Sequence, residues 1–222
     1  MILYSHKMSL KRGINMELNN KTSRGINKAE EVEPIKNIKD IAKIKQYLIG
    51  KENKRDYELF VVGINVGLRV GDLLKLKIKD IFENGMLVDK VTINEQKTDK
   101  KREFELNKSA KDAITLYLST LKDIDVASYL FKSRKGDGAL TVESAHKIIK
   151  TTLKELNIKG NYGTHTLRKT FAYHIYANNI KTNPSIINTL QKMLNHSSAS
   201  VTLRYIGITK EVISDVYNSL NL

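Results

Sequence analysis

The chain has 222 residues and a hydrophobic fraction of 41%, which is enough for one sizeable globular core and excludes a disordered polypeptide. It carries 38 Lys and Arg against 24 Asp and Glu, a formal net charge of +14. This excess favours a polyanionic partner such as nucleic acid, although a charge that serves only solubility explains it equally well. The absence of cysteine excludes a disulfide framework, thiolate metal sites and a cysteine nucleophile. No apolar run reaches about 18 residues and no signal-peptide core is present, so we expect no membrane partner and an intracellular, cytoplasmic protein.

Residues 1–32 are predicted to form a flexible basic arm. Six lysines and arginines up to residue 28 outnumber the single acid, Glu17, and no sustained periodicity is present. Such an arm can follow a DNA backbone, but a tail without function fits the same composition.

Apolar periodicity predicts helices over residues 35–50, 56–66, 70–76, 108–122, 142–156, 164–178, 185–194 and 209–220. Gly67 follows the second helix and can supply its left-handed end. The β-like segments are Leu87–Ile93 and the alternating run Arg102–Leu106, which the charged turn Lys97–Lys101 separates. The sequence therefore predicts one domain, residues 33–222, that is mainly α with one small antiparallel sheet (α+β).

Arg69 lies at an apolar junction between two predicted helices, directly after the glycine turn. Its planar guanidinium suits two phosphate oxygens and keeps its charge at any physiological pH. Asp72, three residues on, is placed to orient it along a helical turn. A purely structural Arg–Asp pair fits the same residues.

His165 and Arg168 are three residues apart and share one helical face, so a proton-carrying imidazole stands beside a second phosphate-binding group. Leu167, Phe171 and Ile175 form the apolar stripe that would bury the rest of this helix. The His-x-x-Arg spacing alone is common and does not identify a site.

His196 directly follows an apolar helix, and Tyr205 comes nine residues later. A tyrosine has an ordinary pKa near 10, so it needs nearby positive charge to act as a nucleophile, and the arginines and histidines would supply that charge. Taken one by one, a helix-end histidine is usually a cap and a tyrosine is usually packing.

Five segments carry a resemblance when taken in order: GLRVGDLL, QKTDKKREF, HTLRKTF, LNHSS and TLRYIGI. In this order and at compatible spacings, residues 33–222 resemble the catalytic domain of tyrosine site-specific recombinases, the phage integrase family. The resemblance implies a DNA recombinase that needs no metal, ATP or other cofactor and acts on double-stranded DNA rather than on a small molecule. It also implies a bacterial or phage-encoded protein of a mobile element, associated with the nucleoid.

The resemblance also implies a role for each matching residue. Arg69 and Arg168 would bind the scissile phosphate, and His196 would donate a hydrogen bond to it. His165 would take the proton of Tyr205, which would form a 3′-phosphotyrosyl link. The leaving 5′-oxygen would receive its proton from Lys97, which precedes Thr98 in the family's Lys-Thr pattern; Lys100 and Lys101 share that turn.

Two departures from the family pattern stand out. Arg168 and His196 are 28 positions apart, more than the family leads us to expect, and we expect the surplus in the turn-rich stretch Asn179–Pro184. The family's N-terminal clamp domain is missing from the sequence, so we expect weaker and more salt-dependent DNA binding.

Three functions remain open on the sequence alone. The leading hypothesis is an active strand transferase; the others are an accessory protein that occupies recombination sites without cutting, and DNA relaxation of the type IB topoisomerase kind. The family's C-terminal helix commonly docks on a neighbouring protomer, and Val212, Ile213, Val216 and Leu220 form an apolar face that can pack in cis or in trans.

Overall fold

Helices dominate the computed structural model, which describes residues 31–97, 99–207 and 217–220. In chain order the elements are α1 (Ile38–Gly50), α2 (Lys54–Val66), α3 (Val70–Leu74), α4 (Ile78–Ile81), β1 (Phe82–Glu83), β2 (Met86–Leu87), β3 (Lys90–Asn94), β4 (Lys101–Glu105), α5 (Lys108–Leu118), α6 (Val142–Glu155), α7 (Thr164–Asn179), α8 (Ile186–Leu194) and α9 (Ala199–Ile206). Residues 1–30 of the predicted arm and most of the predicted helix 209–220 lie outside the described residues. No helix of the described part is long and apolar enough to span a membrane.

Short polar side chains cap the N-terminal ends of several helices. Asn37 accepts a hydrogen bond from Lys39 N (2.9 Å) at the start of α1. Asn107 caps α5, Thr141 caps α6 and Ser198 caps α9 in the same way. Each cap satisfies an N–H group that has no partner within its own helix, which fixes the residue at which the helix begins.

The main core surrounds α2, whose middle is apolar on all sides. Leu59, Phe60, Val61 and Val62 are buried there, and α2 packs against α5 and α7. A second, smaller cluster joins α7, α8 and α9 through Phe171, Ala172, Leu190, Leu194 and Ile206. This cluster fixes α9 against α7 and thereby places Tyr205 relative to Arg168.

The sequence predicted a single sheet, whereas the structure has two separate pairs of antiparallel strands among the described residues. β3 pairs with β4, with Val91 opposite Phe104, as the two β-like segments suggest. Leu87 belongs to the other pair, β1–β2, because Asn84 and Gly85 both take positive φ and close a two-residue hairpin. The fold class, mainly α with small antiparallel sheets, is confirmed.

Residues 31–37, which have no regular secondary structure, precede α1, although the apolar spacing predicted that the helix begins at Ile35. The N–H of Ile35 donates to Thr170 Oγ1 (2.9 Å), and its carbonyl oxygen lies 2.9 Å from His174 Nε2. Both partners lie on α7, so the backbone of Ile35 is used in tertiary contacts rather than in a helix. Its side chain is buried in the main core.

Gly67 ends α2 in the left-handed conformation, as predicted, with φ of 61°. A Cβ built on it would lie 2.3 Å from Cδ1 of Phe171. The position therefore needs glycine both for its backbone angle and for the close approach of α7.

We expect Gly67→Ala to lower the free energy of unfolding by about 2–4 kcal/mol, because the left-handed angle costs about 1–2 kcal/mol and the contact with Phe171 adds overpacking. Urea denaturation of the purified variant measures this change in the free energy of unfolding. Gly85 also has a positive φ, but no atom lies near enough to contact an added Cβ, so Gly85→Ala should lose only the free energy that the backbone angle costs. Gly50 has neither constraint, so Gly50→Ala should change the stability little. Equal losses at Gly67 and Gly85 would contradict the packing argument.

Candidate active site

Arg168 stands at the centre of a cluster that collects most of the predicted site residues. Its side chain is 3% exposed; Nη1 donates to the carbonyl of Gly67 (3.0 Å) and Nη2 to the carbonyl of Leu194 (2.7 Å). Gly67 lies two residues before Arg69, and Leu194 lies two residues before His196. The guanidinium of Arg168 therefore connects the turn that precedes Arg69 with the end of α8, which precedes His196.

Arg69 is paired with a carboxylate that the sequence did not single out. Its Nη1 lies 2.7 Å from Oε2 of Glu95, within ion-pair distance but without the angle of a hydrogen bond. The prediction that Asp72 orients Arg69 is wrong, since Oδ1 of Asp72 accepts from the N–H of Gln96 (3.0 Å) instead. Asp72 thus fixes the residue after Glu95 rather than the guanidinium itself.

A third guanidinium, that of Arg102 on β4, belongs to the same cluster. Nη1 of Arg102 lies 3.2 Å from Glu95 Oε1, and Nη2 donates to the Gly67 carbonyl (3.0 Å), the acceptor that Arg168 also uses. Burial, with the nearby charge of Arg102, lowers the pKa of Arg168 to about 10. Arg168 is still fully protonated at neutral pH, so the site keeps its positive charge.

His196 and Tyr205 lie against each other in the loop and helix that follow α8. Asn195 ends α8 in the left-handed conformation, which leads the chain directly into His196. Nδ1 of His196 is 3.1 Å from the hydroxyl of Thr202, and its ring meets the ring of Tyr205 edge to face at 4.9 Å. Since Thr202 and Tyr205 share one face of α9, this helix orients the imidazole and the phenol together.

The Tyr205 hydroxyl is buried and makes no hydrogen bond of standard geometry with a described residue. Burial raises the pKa of Tyr205 above its ordinary value, and the charges of Arg168 and Arg69 act in the opposite direction. The positive neighbours therefore lower the pKa of this phenol, as expected, but burial raises it by more. Deprotonation of Tyr205 needs a base.

Both imidazoles are held neutral. Burial lowers the pKa of His165 below 6.5, and the charges of Arg168, Lys169, Arg69 and Lys97 lower it further. Burial and the charges of Arg168 and Arg69 lower the pKa of His196 as well. A neutral imidazole has a free lone pair at pH 7, which is the state that can accept a proton.

Lys97 lies in the turn between β3 and β4 and is exposed. Its charge contributes to the low pKa of His165, which puts it on the same side of the molecule as the cluster. Thr98, the other half of the predicted Lys-Thr pattern, lies outside the described residues. The structure thus brings Arg69, Arg168, His196 and Tyr205 together. His165 and Lys97 lie near enough for their charges to interact with this group.

Lys169 is a further cation beside the phenol. Its ammonium lies 4.9 Å from the ring centre of Tyr205 and pairs with Glu31 (2.6 Å) on the segment that crosses α7. The side chain is only 5% exposed, which is unusual for lysine and indicates a fixed position.

Sequence reasoning missed Glu95, Arg102 and Lys169. For the first two a signal was present. Val91 and Ile93 share one face of β3, Glu95 continues this spacing just past the end of the strand, and Arg102 shares a face of β4 with Phe104. Charged residues on the buried face of two paired strands need each other. For Lys169 no local signal distinguishes it from a surface lysine.

The cluster is suited to bind an anion. Three guanidinium groups converge on it, and the carboxylate of Glu95 offsets only part of their charge. A phosphodiester beside Arg69 and Arg168 would meet their positive charge, with neutral imidazoles and a phenol close by.

Residues 32–211 match the phage integrase family. The chain is 39% identical over 186 residues to the probable integrase/recombinase YoeC of Bacillus subtilis, an alignment that covers 84% of this chain and 95% of YoeC. It is 30% identical over 187 residues to the tyrosine recombinase XerC of Caldanaerobacter subterraneus, covering 82% of this chain but 49% of XerC. The chain thus spans nearly all of one relative and about half of the other.

Solved recombinases share the fold. A crystal structure of XerA recombinase superposes with a TM-score of 0.64 at 23% identity, covering 86% of this chain and 64% of XerA. XerH recombinase, bound to a palindromic difH substrate in a post-cleavage complex, gives 0.62 at 22% identity, covering 85% of this chain and 53% of XerH. With this family match and these relatives, the chain belongs to the phage integrase family.

Proposed function

We propose that the protein is a site-specific DNA recombinase that breaks and rejoins strands of double-stranded DNA through a 3′-phosphotyrosyl intermediate, without metal, ATP or another cofactor. The observation that carries the proposal is the convergence of Arg69, Arg168, His196 and Tyr205 around one positively charged site. The DNA-bound state of XerH, a protein of the same fold, supports the choice of substrate.

In the proposed reaction Arg69 and Arg168 bind the non-bridging oxygens of the scissile phosphate. The Tyr205 oxygen attacks phosphorus as its proton passes to neutral His165. The bond from phosphorus to the 5′-oxygen breaks, and Lys97 supplies the proton that the departing oxygen needs. His196 donates a hydrogen bond to the phosphate, and the two arginines balance the charge that develops on it.

The phosphotyrosyl bond retains the energy of the broken phosphodiester. A 5′-hydroxyl from the same or another strand can therefore reverse the reaction and reseal the DNA without an external energy source. His165 is available as the base because its lowered pKa keeps it neutral at pH 7.

We also infer that copies associate on DNA through the C-terminal segment. In the part of this segment that the structure describes, Tyr217 and Leu220 are 78% and 68% exposed, so their apolar surface can contact another protein chain. Val212, Ile213 and Val216 lie outside the described residues. A basic arm over residues 1–32 that follows the DNA backbone, a cytoplasmic and nucleoid-associated location, and an origin in a mobile element are further parts of this proposal.

We expect the protein to form an adduct with nicked duplex DNA that survives sodium dodecyl sulfate, in buffer with a chelator, and Tyr205→Phe to abolish it. The reason is that phenylalanine has no oxygen to bond to phosphorus. Denaturing gel electrophoresis of labelled DNA measures the adduct.

Tyr57→Phe is the matched control for this loss, because Tyr57 packs against the main core, and it should keep the adduct. A normal yield with Tyr205→Phe would refute the assignment of the nucleophile. Gel shift of the unaltered protein without any adduct would refute the recombinase proposal and favour an accessory DNA-binding role, whereas plasmid relaxation without exchange between two sites would favour a topoisomerase.

The rate of adduct formation should fall on acidification only below pH 6.5, because protonation removes the lone pair of His165 and its pKa is lowered from that value. Below that pKa the rate should fall about tenfold for each pH unit. Lys169→Gln removes one of the charges that lower this pKa, so it should move the midpoint to higher pH. Rates at subsaturating nicked duplex measure the midpoint for the free protein.

Lys79→Gln, an exposed lysine on α4, is the control and should leave the midpoint unmoved. A midpoint above 6.5 in the unaltered protein, or one that Lys169→Gln does not move, would contradict the role of His165 as base.

Association through the C-terminal segment predicts that Leu220→Asp weakens oligomers on DNA, because a carboxylate cannot enter an apolar contact without cost. Sedimentation at rising protein concentration, with and without duplex, measures this. A variant with the same sedimentation as the unaltered protein in both conditions would contradict the assignment of Leu220 to the contact.

A further inference from the structure

Glu95 bridges two of the three guanidinium groups of the site. Its Oε2 lies 2.7 Å from Nη1 of Arg69, and its Oε1 lies 3.2 Å from Nη1 of Arg102. The residue is 2% exposed, whereas the side chain of Arg69 is 23% exposed. The carboxylate thus holds Arg69 from the protein side, and part of the Arg69 side chain remains open to solvent.

Glu95 also forms the base of the turn that carries Lys97. Its N–H donates to the carbonyl of Lys100 (3.0 Å), and its carbonyl accepts from the N–H of Asp99 (2.8 Å). These two bonds close the turn around Lys97. The position of Lys97 therefore depends on the position of the Glu95 backbone.

The next residue, Gln96, attaches the same turn to the helix of Arg69. Its N–H donates to Asp72 Oδ1 (3.0 Å), and its Nε2 donates to the carbonyl of Gly71 (3.2 Å). Asp72 and Gly71 both lie on α3, directly after Arg69. The turn and the phosphate-binding arginine are thus joined by one side-chain ion pair and by the bonds of the neighbouring residue.

We propose that Glu95 is a positioning residue of the strand-cleavage reaction, which couples the Arg69 guanidinium to the turn that presents Lys97. The inference rests on the proposed function and assigns to it a residue that makes no contact with substrate. An exposed lysine on a turn has many conformations, and a displacement of about 1 Å in a catalytic group can cost on the order of a hundredfold in rate. The bridge reduces this freedom and aligns the group that binds phosphate with the group that protonates the leaving oxygen.

A purely structural ion pair would behave differently when its charge is removed. Loss of structure would weaken DNA binding and cleavage together. Loss of positioning should slow cleavage alone, and binding should stay equal or become tighter, because Glu95→Gln removes a negative charge that opposes the phosphate.

The test compares Glu95→Gln with Glu103→Gln, which removes the same charge from an exposed position on β4 of the same hairpin. With nicked duplex in single turnover, we expect adduct formation by Glu95→Gln to be roughly 10–100-fold slower, with gel-shift affinity equal or higher. Glu103→Gln should keep the unaltered rate. Equal rates for the two variants, or a parallel loss of binding and rate in Glu95→Gln, would overturn the proposal.

A substrate with sulfur in place of the bridging 5′-oxygen tests the connection to Lys97. A thiolate leaves without needing a proton, so this substrate should restore the rate of Lys97→Met. It should also restore part of the rate of Glu95→Gln, by roughly tenfold relative to Glu103→Gln, because part of that loss arises at Lys97. No restoration in Glu95→Gln would show that Glu95 acts on Arg69 alone and would overturn the coupling.

Far-UV circular dichroism shows whether Glu95→Gln is folded. Should it not fold, Glu95→Asp decides in its place: the shorter carboxylate keeps the charge but cannot span both arginines, and it should slow cleavage without weakening binding. Absence of an adduct with the unaltered protein would refute the proposed function and this inference with it, whereas a normal adduct with an unchanged Glu95→Gln rate would refute the inference alone.

Discussion

The carbonyl oxygen of Gly67 accepts hydrogen bonds from two guanidinium groups, those of Arg102 and Arg168, and the site is assembled around this one acceptor. Its position depends on the left-handed turn that ends α2, where α7 approaches so closely that only glycine fits. Arg168 arrives from α7 and Arg102 from β4. Elements that are far apart in the chain are therefore held at a single backbone atom.

Bringing three guanidinium groups together carries an electrostatic cost that the protein reduces in two ways. Buried carbonyl oxygens bind the N–H groups of Arg168 and Arg102, and the carboxylate of Glu95 lies between Arg69 and Arg102. Even so, the pKa of Arg168 falls to about 10, because its charge is buried among like charges. Burial, together with the remaining positive potential, lowers the pKa of both histidines, and the same potential is available to a bound phosphate.

The helices could be predicted from the sequence, whereas the contacts that connect the candidate site residues could not. Periodicity located α2 and α7, and the Gly67 turn followed from the single glycine after an apolar helix. The prediction of Asp72 as the partner of Arg69 was wrong because spacing along one helix carries no information about Glu95, which follows β3 and lies 26 residues later in the chain. The prediction that α1 begins at Ile35 was wrong for a similar reason. The spacing of Ile35 fits a helix, but its backbone binds side chains of α7.

The crossing of α7 by residues 31–36 determines how this protein can be shortened for laboratory work. Ile35 is buried in the core, its amide and carbonyl bind Thr170 and His174, and Glu31 pairs with the Lys169 ammonium that lies over the ring of Tyr205. A recombinant fragment cut immediately before α1 would keep every motif residue. It would nevertheless open a hole beside α7 and leave Lys169 without its counter-ion, so the minimal expression boundary lies upstream of the first helix.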